Sequence, residues 1–89
     1  MILLVTYDLK GPAGSYSSLF EVLKSQNNWW HYLSKTWLVD TDSTPGELFA
    51  ELKPHLKLPG DRILITPFTR PYQGWLPSKA WKWIHSRED

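Results

Sequence analysis

Asp8 is the carboxylate best placed to do chemistry. It ends the apolar run "ILLVTYDL" and is followed by the glycine-containing loop "KGPAGS". A strand end is a rigid mount for a reactive group. The competing role is structural, with the carboxylate accepting from the amides of residues 10 or 11. His31, His55 and His85 are widely separated and share no metal-ligand spacing, so they read as packed or surface histidines. Ser15, Ser17 and Ser18 stand at a helix start and lack the G-x-S-x-G setting of a nucleophile. "KGPAG" lacks the lysine and spacing of a phosphate loop. Lys79, Lys82 and Arg87, with Arg70, make a basic run near the C-terminus. Such a run is either a solvated helix face or a nucleic-acid contact. Lys10, Arg70, Lys79 and Lys82 are the candidate contacts.

Elements that would position these groups follow from patterning. "ILLVTYDL" is apolar at nearly every position, as in a strand covered on both faces. Tyr16, Leu19, Phe20 and Leu23 form one helical stripe, and Ser18 with Glu21 offers a capping box. "WWHYL" and "TWLVDT" read as a hairpin about Ser34 and Lys35. Strict alternation puts Trp29, His31 and Leu33 on one side and Trp30 and Tyr32 on the other. Thr44, Pro45 and Glu47 give a second helix a complete start signal. Pro54 should end it near Lys53. "RILITPF" is a fourth strand, and a last helix spans about 77–86. On that helix Leu76, Ala80, Trp83 and Ile84 share a face, and Trp81 lies off it.

The order β-α-β-β-α-β predicts an α+β, ferredoxin-like sandwich over residues 1–89, with an additional C-terminal helix. Strands one and three should be central, with both long helices on one face.

Composition narrows the function. The chain has 89 residues, of which 42% are hydrophobic, 21% charged and 15% aromatic. A domain this small buries roughly 60–65% of its unfolded surface, so self-association would help it. The net charge of +1 leaves any basic surface to local arrangement. No cysteine is present, which excludes disulfides and thiolate metal sites. The opening apolar run is too short to span a membrane, and a cytoplasmic protein is expected.

The aromatic stretch "NNWWHYLSKTWLV" leaves two apolar sheet faces and helices for only one. The second face is covered by the terminal helix, by a second copy, or by stacked bases. Trp37 and Trp81 are the candidate residues of a homodimer interface.

"LLVTYDL" resembles the first strand of the small CRISPR-associated proteins of the spacer-integration complex and of VapD-like toxins. That resemblance implies a ferredoxin-like homodimer with an aspartate at the end of the first strand. In some members a metal-dependent nuclease activity depends on it. Tyr7 and Asp8 are the residues that carry over, which makes Asp8 the implied catalytic and metal-binding residue. "YDLKGPAGSYSSLFEVLKS", "WWHYLSKTWLV", "LKPHL", "GDRILIT" and "YQGWLP" are similar to a narrower group of uncharacterised SinR-like bacterial proteins. The terminal helix departs from the CRISPR-associated pattern, where a fifth strand is found.

Two functions follow as expectations. One is a nucleic-acid-handling homodimer, either a nuclease dependent on magnesium or manganese or a binding protein derived from one. A twofold axis would have to pair two Asp8 carboxylates around the ion, because one aspartate holds a divalent cation poorly. The other is a non-catalytic homodimer that serves as an interaction module. A paired, solvent-reachable Asp8 beside basic residues favours the first. An Asp8 bonded to its own loop favours the second.

Overall fold

A computed structural model describes residues 1–87. It is an α+β fold with one four-stranded antiparallel sheet and three α-helices. The strands are β1 (Ile2–Asp8), β2 (Asn28–Leu33), β3 (Thr36–Asp40) and β4 (Arg62–Pro67). The helices are α1 (Ser17–Lys24), α2 (Pro45–Leu52) and α3 (Ser78–His85). Sheet order is β2-β3-β1-β4, with strands one and three at the centre as expected. No helix among the described residues is long and apolar enough to cross a membrane.

β1 carries apolar side chains on both faces, so each face has its own core. Leu3 and Val5 pack with Trp37, Val39 and Tyr16 under Leu19 and Leu23 of α1 and Leu48 and Leu52 of α2. Burying each such side chain contributes about 1.5–3 kcal/mol. Ile2 packs with Trp30 and Leu38 under Ala80 and Ile84 of α3. The terminal helix thus folds back over its own sheet. Arg87 pairs with Asp40 at 3.2 Å, and the Trp83 indole donates to Asn28 Oδ1 at 3.3 Å. Both contacts hold α3 across the β2–β3 end of the sheet.

Local signals explain most boundaries. The Thr44 hydroxyl accepts from the Glu47 amide at 3.2 Å, and the Glu47 carboxylate accepts from the Thr44 amide at 2.8 Å. This is the reciprocal cap that the sequence announces. α2 stops at Leu52 and tightens into a 3-10 turn over Lys53–His55, where Pro54 cannot continue the α pattern.

Two expectations are corrected. The Ser18–Glu21 capping box does not form, because a 3-10 turn over Ala13–Tyr16 already leads into α1. Ser18 Oγ lies 3.0 Å from His55 Nδ1 instead. Strict alternation in β2 also fails. Trp30 pairs with Leu38, but Leu33 pairs with Thr36, so three steps on β2 oppose two on β3. That bulge moves Leu33 to the face of Trp30. Trp29 and His31 keep the helix-covered face, where both rings lie against Trp37 at 5.2 and 4.2 Å.

Trp37 is 2% exposed and sits on a central strand, whereas Trp75 is 98% exposed. Trp37→Ala should cost about 3–5 kcal/mol. Trp75→Ala should stay within about 0.5 kcal/mol. Urea denaturation at low protein concentration measures both.

Candidate functional site

Register places Ile2, Leu4, Thr6 and Asp8 on the face of β1 that α3 covers in part. Their neighbours on that face are Leu38 and Thr36 of β3 and Thr66, Leu64 and Arg62 of β4. α3 and residues 68–76 cover the Ile2–Leu4 end. The Asp8 end is open, and Leu64 there is 61% exposed.

Asp8 is exposed and makes no bond to the amides of its own loop. Its Oδ2 accepts from Lys10 Nζ at 3.0 Å, and Arg62 stands opposite it across the ladder. The Lys10 hydrogen bond, then the Lys10 charge, hold its carboxyl below the ordinary value against slight desolvation, with Lys35 and Arg62 adding to the effect. One carboxylate among three cations does not fit a divalent ion within a single chain. Among the described residues no three His, Asp or Glu side chains gather as metal ligands. The second copy that a metal at Asp8 would require is not part of the protomer.

The structural role that the sequence offered to Asp8 belongs to Asp61. This carboxylate is buried, at 4% exposure. It accepts from the amides of Lys10 at 2.8 Å and Lys57 at 2.7 Å, and from the Tyr16 hydroxyl at 2.8 Å. Burial opposes its ionisation. The two amides, the Tyr16 hydroxyl and the Lys57 charge outweigh burial and lower its pKa. Burial, with Asp61 beside it, raises the Tyr16 pKa. The Gly11 amide donates to the Tyr16 oxygen at 2.8 Å. A Cβ on Gly11 would lie 2.8 Å from that oxygen, so any larger residue would have to displace the Tyr16 hydroxyl. The Lys10 and Gly11 amides of the "KGPAG" turn are therefore engaged internally and cradle no phosphate. The buried aspartate beside Gly60 was the signal that sequence reasoning passed over.

Arg70, Lys79 and Lys82 are exposed and lie on the C-terminal segment, while Lys10 lies at the Asp8 end. Residues 62–89 contain five basic residues, Arg62, Arg70, Lys79, Lys82 and Arg87, against two acidic ones, Glu88 and Asp89. Half of the chain's ten basic residues fall there. Within this segment the rings of Phe68, Tyr72, Trp81 and His85 stack in sequence, at 4.7, 6.2 and 6.0 Å. Together with Arg70 and Trp75, the last three of these rings line an open groove of about 740 Å³. Trp81 is half-buried here and not turned to solvent, because Tyr72 rises beside the helix to meet it. Trp37 is corrected more sharply. It lies in the protomer's own core beneath α1, with its indole donating to Tyr7 Oη at 3.0 Å, and offers no surface to a partner. The groove, with Tyr72 and Trp75, was missed, although the basic excess of the C-terminal segment was visible in the sequence.

His31, His55 and His85 are apart, as expected; His31 lies by the Thr36 carbonyl, His55 by the Ser18 hydroxyl and His85 by the Trp81 ring. Comparison of the chain with protein-family models, with curated proteins and with solved structures finds no match.

Asp61→Asn should lower the denaturation midpoint clearly, because an amide nitrogen would replace one acceptor facing three donors. Asp8→Asn should leave the midpoint unchanged, since an exposed ion pair contributes little. The depressed Asp61 pKa stabilises the fold above the unfolded value of about 3.9 and ceases to do so as pH falls through the folded value. Wild type should lose stability below about pH 4, and Asp61→Asn should show a flatter acid limb. Denaturation midpoints measured across pH check both statements.

Proposed function

We propose that the chain is a nucleic-acid-binding homodimer of ferredoxin-like fold, derived from a metal-dependent nuclease and akin to the SinR-like proteins. The element order and the sheet order β2-β3-β1-β4 support the fold reading. One observation carries the functional reading. Arg70 lines an aromatic groove, and the helix that supplies Trp81 and His85 to that groove also carries the exposed Lys79 and Lys82. Phosphates are met by Lys and Arg, and bases stack on aromatic rings. A nearly neutral chain can bind this way because its charge is segregated.

Asp8 keeps the strand-end position of a nuclease carboxylate but is held by Lys10. Binding without cleavage is the form of the reading that this favours. Magnesium or manganese would enter only where a second copy brings its own carboxylate. Self-association is supported by Leu64 and Leu33, which stand exposed on the open half of the sheet face. The same two leucines favour the second reading, a homodimeric interaction module with no nucleic-acid partner.

Fluorescence anisotropy with labelled DNA and RNA tests the first reading. Affinity should fall steeply between about 50 and 200 mM salt. Replacing Arg70, Lys79 and Lys82 together by Ala should make the salt slope shallower, by about one unit for each phosphate no longer neutralised. No cleavage should appear with manganese or with chelator. Sedimentation should give twice the protomer mass of 10.4 kDa. A dimer that binds no nucleic acid at low salt would leave the interaction module standing.

A further inference from the structure

The groove continues inward to a mostly apolar cavity of about 250 Å³ between the sheet and residues 72–76. Trp30, Leu38 and Leu4 form its sheet side, and Tyr72, Leu76 and Trp81 its outer side. Trp75 lines both spaces and is 98% exposed. Two polar atoms carried by residues of this lining are buried, out of reach of the cavity as it stands, and lack a hydrogen-bond partner among the described residues. They are the indole nitrogen of Trp30, a residue 4% exposed, and the hydroxyl of Tyr72. Buried donors without partners are uncommon in folded proteins, and each costs stability. The Trp30 indole can only donate, and the Tyr72 hydroxyl has a proton to give. What is missing is therefore an acceptor, carried by something apolar and small.

Resting on the nucleic-acid reading, the geometry points to this cavity as a site for one unpaired base of a single strand, with preference for uracil or thymine. Such a base has a flat body that suits the apolar walls. Its two carbonyl oxygens can accept from the two donors once the 72–76 segment shifts to admit it. Cytosine and guanine bring one carbonyl oxygen each, and adenine accepts only through its ring nitrogens. A paired base cannot leave the duplex without the cost of unstacking. Trp75 stands at the entrance, where a neighbouring base can stack. Arg70 and the basic α3 face lie beside the path of the backbone.

Anisotropy with short oligo(dT), oligo(dA) and a mixed-sequence duplex tests this, with Tyr72→Phe and Trp75→Ala as variants. Tyr72→Phe keeps the ring and removes only an unpartnered hydroxyl. Its melting temperature should equal or exceed that of wild type, while oligo(dT) binding should weaken about 3- to 10-fold. Trp75→Ala should weaken both single strands by about tenfold. Wild type should bind oligo(dT) more tightly than oligo(dA) or the duplex. Equal binding of all three, unaffected by Tyr72→Phe, would overturn the base site and leave the general nucleic-acid reading intact. A lower melting temperature for Tyr72→Phe would also overturn it, by showing that the hydroxyl already has a partner. Absence of binding to every probe at low salt would remove both.

Discussion

A central strand that is apolar on both sides must be covered twice, and β1 imposes that on this chain. Leu3 and Val5 face α1 and α2, while Ile2 and Leu4 face α3 and the segment before it. A chain of 89 residues has little to spare for a second cover. One eight-residue helix and an irregular segment supply it, and they reach only part of the face. The groove, the inner cavity and the exposed leucines are all consequences of that incomplete cover. The same segment carries the concentrated positive charge.

The two aspartates show how burial assigns roles. Asp61 is enclosed and ionised, because three donors converge on it. It ties the loop after β1 to the loop before β4 and to the start of α1. Asp8 is only a few residues from that knot, yet it faces water and three cations. Asp61 answers to the fold, which leaves Asp8 free to answer to solvent, to a partner or to a ligand. Tyr16 joins the first core to this network, with its ring buried and its hydroxyl on Asp61.

Local chemistry was legible wherever it is self-contained. Thr44, Pro45 and Glu47 specify a helix start within four residues, and Pro54 specifies its end. The central places of strands one and three followed from element order. Nonlocal choices were not legible. The β2 bulge is a joint property of two strands and the Ser34–Lys35 turn, so alternation within β2 could not reveal that Leu33 changes face. Ser18 pairs with a histidine 37 positions away, which no capping rule anticipates. An apolar strand on both sides makes Trp37 look like interface in the sequence. Phe20 and His31, brought against it by tertiary packing, make it core. In the site, Asp8 and the basic residues were readable as types. Their separation into two regions, and the aromatic groove, depend on where residues 68–87 fold back.

Six tryptophans give six indole N–H reporters spread over both faces. Trp30, Trp75 and Trp81 line the groove and its cavity, whereas Trp29 and Trp37 belong to the opposite, helix-covered face. Titration of isotope-labelled protein with oligo(dT), followed by the indole resonances, reads the binding face directly. Binding in the groove should give large shifts for Trp30, Trp75 and Trp81 and small ones for Trp29 and Trp37. Shifts concentrated on Trp29 and Trp37, or none at saturating oligonucleotide, would contradict it.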